Sequence, residues 1–430
     1  MNAPLYETLK KYAEGDISRF FMPSHAGRDI DGCLYKSSRF DFTELSFSDN
    51  LVNADGVILK AETLLAKSYD SPFSLMFTSG ATSAIWTALA TIREYTDEIL
   101  IDSFSHKSVF CAAKNFNFKA TIIQREFDGV FPKPIDCGKI DKILSQNPSI
   151  KAVSVTSPDY FGNVSDVEKA AKVAHSHGAI LFVDEAQGAH FVFSPLLPKS
   201  ANGAADIVCD SMHKTMPVYG GGAVLNLKEK FYEAAKFHRA RLTTSSPSYI
   251  VMASMDYARG LFDLKAKAEY EVLKRKIDEV KSVLGDRVKN TDDFTRLVIK
   301  VDGDSLEKEG IYPEASWGEF SVFIVNFFNA NCLSKLTEAV KKLPVPESGG
   351  RGYGDMPIPS ELKSAKGKRE YIPLAESEGR ISADDVGSYP PGVPLIYEGE
   401  IISGEKIKFL SAEKHTFNLV NGKICVIIDK

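Results

Sequence analysis

The sequence predicts an α/β fold: a large domain on a mostly parallel sheet, then a small α/β domain and a small C-terminal β-rich domain. Three observations predict it. From about residue 50 to 245, short apolar runs alternate with helical patterns, as in a sheet with helices on both faces. Residues 290–345 return to strand and helix signals in a smaller unit. From Ile381 the chain is rich in Gly, Pro and β-branched residues and ends on Lys423-Ile424-Cys425-Val426-Ile427-Ile428.

In chain order, residues 1 to about 45 form an arm, with two helical turns over Leu5–Tyr12 leading into Phe20–Gly27. Strands are expected at 73–78, 98–101, 119–124, 151–156, 179–183, 206–209 and 222–227. Helices lie between them, such as Ala81–Tyr95 and Val164–His177. Residues 249–284 are strongly helical, with charges spaced to face water. Pro344–Gly352 breaks the pattern as a linker. The expected domains are an N-terminal arm (1–45), a large domain (46–260), a small α/β domain (261–345), and a linker with a C-terminal domain (346–430).

With 430 residues, 44% hydrophobic and 25% charged, the chain has an ordinary globular composition. A net charge of −5 argues against a nucleic-acid partner. The one dense basic run, Lys363–Arg369, falls in a loop-like stretch and is read as a solvated face. Six scattered cysteines without a C-x-x-C pair suit reduced thiols in a cytoplasmic protein, not disulfides or a metal site. Met1–Lys11 lacks the apolar core of a signal peptide, and no apolar run is long enough to span a membrane.

The chemistry gathers at strand ends, where open α/β sheets bind ligands. Ala179–Val183 delivers Asp184, followed by Glu185-Ala186-Gln187-Gly188-Ala189-His190. Asp206–Cys209 delivers Asp210-Ser211-Met212-His213-Lys214. A carboxylate and a lysine so placed are what pyridoxal 5'-phosphate needs: the lysine forms a Schiff base with its aldehyde, and the carboxylate keeps the pyridine nitrogen protonated. A carboxylate after five apolar residues carries a desolvation cost that such pairing removes. Plainer readings make Asp184 a helix cap, Lys214 a loop lysine and His213 a structural histidine.

Other motifs carry two readings each. Thr78-Ser79-Gly80-Ala81-Thr82-Ser83 follows a strand and opens a helix; it is either a phosphate site or an ordinary capped helix. In Ser105-His106-Lys107-Ser108, His106 either lies flat on the pyridine ring or is a surface histidine after a capping serine. The turn Thr156–Asn163 either lines the site, with Asp159 or Tyr160 near the ring, or is a plain loop. Ser211 and His213 are further phosphate candidates. Ser245 and Ser246, in the hydroxyl cluster Leu242–Tyr249, either reach the phosphate, from a partner subunit, or cap the next helix.

Together these residues resemble the ornithine/lysine/arginine decarboxylases of the aspartate-aminotransferase fold, in the short form without an N-terminal wing domain. The resemblance runs in order through Phe21-Met22-Pro23-Ser24-His25, Phe42-Thr43-Glu44-Leu45, Ser79–Thr82, Ser105–Ser108, Ser157–Gly162, Asp184–His190 and Ser211–Lys214. It continues through Ser246–Tyr249, Gly310–Glu314, Gly379–Ala383 and Tyr389-Pro390-Pro391-Gly392-Val393-Pro394-Leu395. It implies a PLP-dependent transferase-like large domain (fold type I) and a homodimer with the active site at the subunit interface. Lys214 would be the Schiff-base lysine, Asp184 the pyridinium partner and His106 the stacking residue, with Gly80, Ala81, Thr82, Ser211 and His213 on the phosphate. Ser79, Asp159 and Gln187 complete the expected cofactor contacts. Ser245 or Ser246 would reach the neighbouring cofactor, and Tyr389–Leu395 would border the substrate entrance.

Three departures bear on the substrate pocket: Pro23-Ser24-His25-Ala26 where the family has P-G-H-K, Gln187 where short members carry His, and Tyr219-Gly220-Gly221-Gly222 where many have Thr-Gln or Ser-Gln. The expected reaction is α-decarboxylation of a basic amino acid, arginine before lysine or ornithine, as in members serving polyamine biosynthesis. A donor near Lys214 or His213 would return a proton to Cα, and Glu400 or a carboxylate from the partner subunit is a candidate for holding the substrate's side-chain cation. The alternatives are an aminotransferase or aldolase-like enzyme, using Arg296, Arg351 or Arg380 for the α-carboxylate, and a non-catalytic regulator of a decarboxylase.

Overall fold

The computed structural model describes residues 1–15, 17–347, 354 and 356–428. Ser348–Gly352 of the expected linker, Arg351 included, lie outside the described residues.

All seven expected strands form, each ending within about a residue of its expected bounds: β1 (Phe73–Phe77), β2 (Glu98–Asp102), β3 (Lys119–Ile123), β4 (Ala152–Thr156), β5 (Ile180–Asp184), β6 (Ile207–Asp210) and β7 (Ala223–Leu227). They hydrogen-bond in the order β1-β7-β6-β5-β4-β2-β3. Every residue of β5, β6 and β7 is buried, which is why these segments read as unbroken apolar runs rather than alternating ones. β2 runs parallel to β3 and β4. β7 is antiparallel to both β1 and β6: the chain leaves β6, makes the one-turn helix Met212–Thr215 and comes straight back.

By packing, the chain divides into two units, Met1–Thr91 with Val183–Arg275, and Ile92–Phe182 with Lys276–Lys430. In the first, the arm is a helix, Pro4–Glu14, with proline in its first turn where no N–H is needed. Its Leu5 and Tyr6 N–H groups donate to the buried Asp256 carboxylate (2.9 and 3.2 Å), which docks it on the long helix Tyr249–Leu284. Glu62 accepts the Met76 N–H at 2.8 Å and pairs with the buried Arg239. That pair braces β1 just before its functional end.

In the second unit, Val288–Lys289, Arg296–Lys300, Phe320–Ile324 and Ala315–Trp317 form an antiparallel four-stranded sheet in that order. The tail forms two three-stranded sheets, one on Lys423–Ile428 between Lys368–Pro373 and Leu419–Val420, the other on Val386–Ser388 between Val393–Ile396 and Thr416–Phe417. One core joins these sheets: Phe104, Phe161, Trp317, Val386, Ile396 and Val426 pack in a single buried cluster. Burying each such side chain contributes roughly 1.5–3 kcal/mol before entropy is counted. No described helix is long and apolar enough to cross a membrane.

Candidate active site

In the first unit, Asp184 is the last residue of β5 and only 3% exposed. Its Oδ1 accepts the Ala186 N–H at 3.1 Å. Burial pushes its carboxyl above the ordinary range, while the Lys214 charge and the Ala186 N–H pull it back down. Lys214 is therefore close enough to act on Asp184. It sits half-buried in the helix Met212–Thr215, its N–H donating to Ser211 O at 3.1 Å. His213 Nδ1 lies 3.3 Å from Ser211 Oγ and 3.2 Å from Gly222 O.

The turn Thr78–Gly80 leads from β1 into the helix Gly80–Arg93. Gly80 has φ +80°, a conformation glycine adopts without the Cβ penalty, and a Cβ there would meet nothing within 4 Å. Open space thus lies before the first N–H groups of a helix, with Ser79 and Thr82 exposed beside it. Gly80 N–H donates to Gly221 O at 2.7 Å. Gly221 has φ +98°, and a Cβ on it would stand 2.6 Å from Thr78 O; one on Gly222 would stand 2.4 Å from Val218 Cγ1. Within the glycine run, which the sequence presents as a departure bearing on substrate, Gly221 is thus required by the close approach of two backbones and Gly222 by the Val218 side chain. Through Gly222 O, which accepts the His213 N–H at 3.3 Å, the same run ties the phosphate-type loop to the lysine helix. These residues suit pyridoxal phosphate: a buried anion beside a lysine, and an open helix start fixed by neighbouring glycines.

Gln187 is buried in the turn after Asp184, where Gly188 N–H donates to Glu185 O at 2.7 Å. Ser245 and Ser246 are exposed between the helices Tyr232–Leu242 and Tyr249–Leu284, with Ser246 N–H donating to Thr244 Oγ1 at 3.1 Å. Beneath the strand ends lies a buried polar network that sequence reasoning missed. Glu185 accepts from Ser200 Oγ (2.6 Å) and Ala201 N (2.8 Å), and Asp210 from Asn226 Nδ2 (2.8 Å). Burial raises both carboxyls, and each acts on the other, so the pair favours holding a proton. Two acids at successive strand ends are the only signal the sequence carries for it.

In the second unit, His106 follows β2 and is half-buried. It is itself the N-cap of the helix Lys107–Asn115: Nδ1 accepts the Ser108 N–H at 3.2 Å and lies 2.7 Å from Ser108 Oγ. Neither the surface histidine nor the Ser105 cap describes this arrangement. An Nδ1 that accepts an N–H leaves the proton of the neutral ring on Nε2.

Asp159, expected as a cofactor contact, lies in the turn after β4. It is buried, and its carboxylate organises its own turn, accepting from Phe161 N (2.8 Å), Asn163 N (2.9 Å) and Asn163 Nδ2 (3.1 Å). Burial pushes its pKa up to about 6 against these hydrogen bonds. Glu400 needs correction: it pairs with the fully buried Lys406 and accepts the Tyr397 N–H at 3.0 Å, so both its oxygens serve the fold. Arg380 binds Glu370 at 2.8 Å and Ile427 O at 3.3 Å within the tail, and Arg296 is buried against Gly162. A second missed feature is the buried pair Asp102–Arg125; Arg125 also donates to Thr156 O at 2.9 Å, tying the ends of β2 and β4.

Residues 3–327 match the major domain of the Orn/Lys/Arg decarboxylase family, and residues 356–422 match the family's C-terminal domain. YaaO of Bacillus subtilis (strain 168), an uncharacterized protein, is 30% identical over 455 residues, spanning 96% of this chain and 94% of its own. An arginine decarboxylase of the same organism is 27% identical over 453 residues, spanning 95% and 92%. Among solved structures, lysine decarboxylase A from Pseudomonas aeruginosa has a TM-score of 0.79 at 15% identity, covering 99% of this chain and 80% of its own. The lysine decarboxylase LdcF of Francisella novicida has a TM-score of 0.76 at 17% identity, covering 99% and 81%. At such identities these structures speak to the fold. The two domain matches span most of the chain, which belongs to the Orn/Lys/Arg decarboxylase family and is a pyridoxal-phosphate-dependent decarboxylase.

Proposed function

We propose that the protein removes the α-carboxylate of a basic amino acid, arginine before lysine or ornithine, to give the amine and CO2. The observation that carries the site assignment is Asp184: a strand-end carboxylate buried at an energetic cost, with the Lys214 charge acting on it. When bound, the cofactor supplies an electron-withdrawing ring that takes up the charge left by the departing CO2. The chain supplies the rest. Lys214 would hold the cofactor through its aldehyde. Asp184 keeps a proton on the ring nitrogen from a fixed, water-poor position. Ser79, Ala81 and Thr82 would offer the phosphate N–H and hydroxyl groups, with Ser211 and His213 beside them, while the Gly80 N–H is held by Gly221 O and Gly80 serves as the turn that opens the helix start. His106 is assigned to the ring face on the family resemblance. His213 and Lys214 are the groups placed to return a proton to Cα.

Arginine is preferred because the Bacillus relatives bearing that name match along nearly the whole chain at 27% identity. The exposed Ser245 and Ser246 belong, in this reading, to the partner's site in a homodimer. A cytoplasmic role in polyamine biosynthesis completes the proposal. The test is to incubate the purified holoenzyme and its Lys214→Ala variant with arginine, lysine, ornithine and diaminopimelate, measuring CO2 and amine. Agmatine from arginine, lost in the variant, is expected. A keto acid without CO2, or no amine product from any of the three basic amino acids, overturns the reading.

A further inference from the structure

The tail turn Ser388–Gly392 lies directly on His106. Gly392 O accepts the Lys107 N–H at 2.8 Å, and Gly392 N–H donates back to Ser388 O at 3.1 Å. Gly392 has φ +80°, and a Cβ built on it would stand 2.8 Å from Cδ2 and 2.9 Å from Nε2 of His106. The opposite edge of the ring is held by Ser108, through its N–H at 3.2 Å and its Oγ at 2.7 Å from Nδ1. The imidazole is therefore gripped on two edges and cannot rotate away from an added methyl group without losing its cap.

Two further contacts keep the turn in place. Lys107 Nζ lies 4.6 Å from the Phe417 ring centroid and 5.8 Å from that of Tyr389. About two helical turns beyond His106 and Lys107, Lys114 reaches two tail carboxylates, Asp385 at 2.6 Å and Glu398 at 2.9 Å. The tail thus grips the helix that His106 caps at both its start and its end.

We propose that Gly392 is a positioning residue: lacking a side chain, it lets the tail turn press on the Cδ2–Nε2 edge of His106 and so sets the plane in which that ring meets the cofactor. The inference rests on the reading of His106 as the residue on the ring face. It gives the C-terminal domain a part in the active site that does not require it to contact substrate. A glycine kept only for its left-handed backbone would make a different prediction, because asparagine tolerates that conformation.

The test uses the full chain with Gly392→Ala and Gly392→Asn. Both add a Cβ at the ring, while only Ala carries the full backbone strain. In the cofactor-free protein, the ¹H–¹³C ring signals of His106 are identified by their loss in His106→Asn. In protein loaded with pyridoxal phosphate, the visible circular dichroism per bound cofactor is read. Both Gly392 variants are expected to shift the His106 signals and to lose dichroism while the cofactor stays on Lys214. Combined with His106→Asn, Gly392→Asn should then add no further loss. Wild-type His106 signals and dichroism in Gly392→Asn overturn the proposal and leave glycine as a turn former. If the wild-type protein takes up no pyridoxal phosphate, the active-site reading fails, and the ring signals alone decide the role of Gly392.

Discussion

Gly221→Ala isolates the contact between the glycine run and the phosphate-type loop. Gly221 sits at φ +98°, which costs an L-residue about 1–2 kcal/mol. Its Cβ would also stand 2.6 Å from Thr78 O, a backbone atom that can yield only by moving the turn. Overpacking of this kind costs about 1–3 kcal/mol, so the total loss of stability is about 2–5 kcal/mol. Moving the turn also misplaces Gly80 N–H, now 2.7 Å from Gly221 O, and the helix start behind it. One charge-assisted phosphate hydrogen bond is worth about 1.5–3 kcal/mol, so cofactor affinity should fall roughly 10- to 150-fold. Gly129→Ala is the control, since Gly129 has φ +58° with nothing within 4 Å of its Cβ position. It should lose only the conformational part and bind cofactor normally. The assays are urea unfolding of the cofactor-free protein and equilibrium titration with pyridoxal phosphate. A Gly221→Ala protein that binds as tightly as wild type, and loses no more stability than Gly129→Ala, would show that Gly221 does not hold the loop in place.

Arg125→Met should cost about 3–5 kcal/mol in urea unfolding, because it strands the fully buried Asp102 carboxylate, and adding Asp102→Leu should recover much of it. Asp159 is an acid whose folded pKa is raised from 3.8 to about 6, so the folded state binds its proton more tightly than the unfolded one. Its stability contribution is complete below pH 3.8 and is lost as pH rises to about 6. The difference in unfolding free energy between wild type and Asp159→Asn should therefore shift against wild type over that window and stay flat above it. Asp184→Asn should lower kcat by about 10²-fold or more, read as CO2 release, yet leave the cofactor-free protein at least as stable near neutral pH, since burial disfavours this carboxylate.

The strands were legible because each is a short buried apolar run closed by turn residues, and so were the places of Asp184 at the end of β5 and of Lys214 in the one-turn helix after β6. Strand direction was not: β7 looks like its parallel neighbours in sequence, and only the tight return from β6 makes it antiparallel. The local role of Asp159 was not legible, because a strand-end position alone does not reveal that its carboxylate accepts the N–H groups of Phe161 and Asn163 and folds its own turn. Glu400 misled because its partner Lys406 is a lysine that a sequence gives no cause to bury. The glycine run at 220–222 was visible, but its purpose depends on a backbone about 140 residues earlier in the chain. His106 was found as a candidate, whereas its contact with Gly392 joins segments that only the fold brings together.

In the proposed function Lys214 carries the cofactor just beyond the end of β6, with its charge acting on Asp184. Borohydride reduction of the pyridoxal-phosphate-loaded protein, followed by peptide mapping, tests it directly. The account predicts a pyridoxyl group on the peptide containing Met212-His213-Lys214 and loss of the visible absorbance in Lys214→Ala. A label on another lysine, or an unchanged visible band in Lys214→Ala, would contradict it.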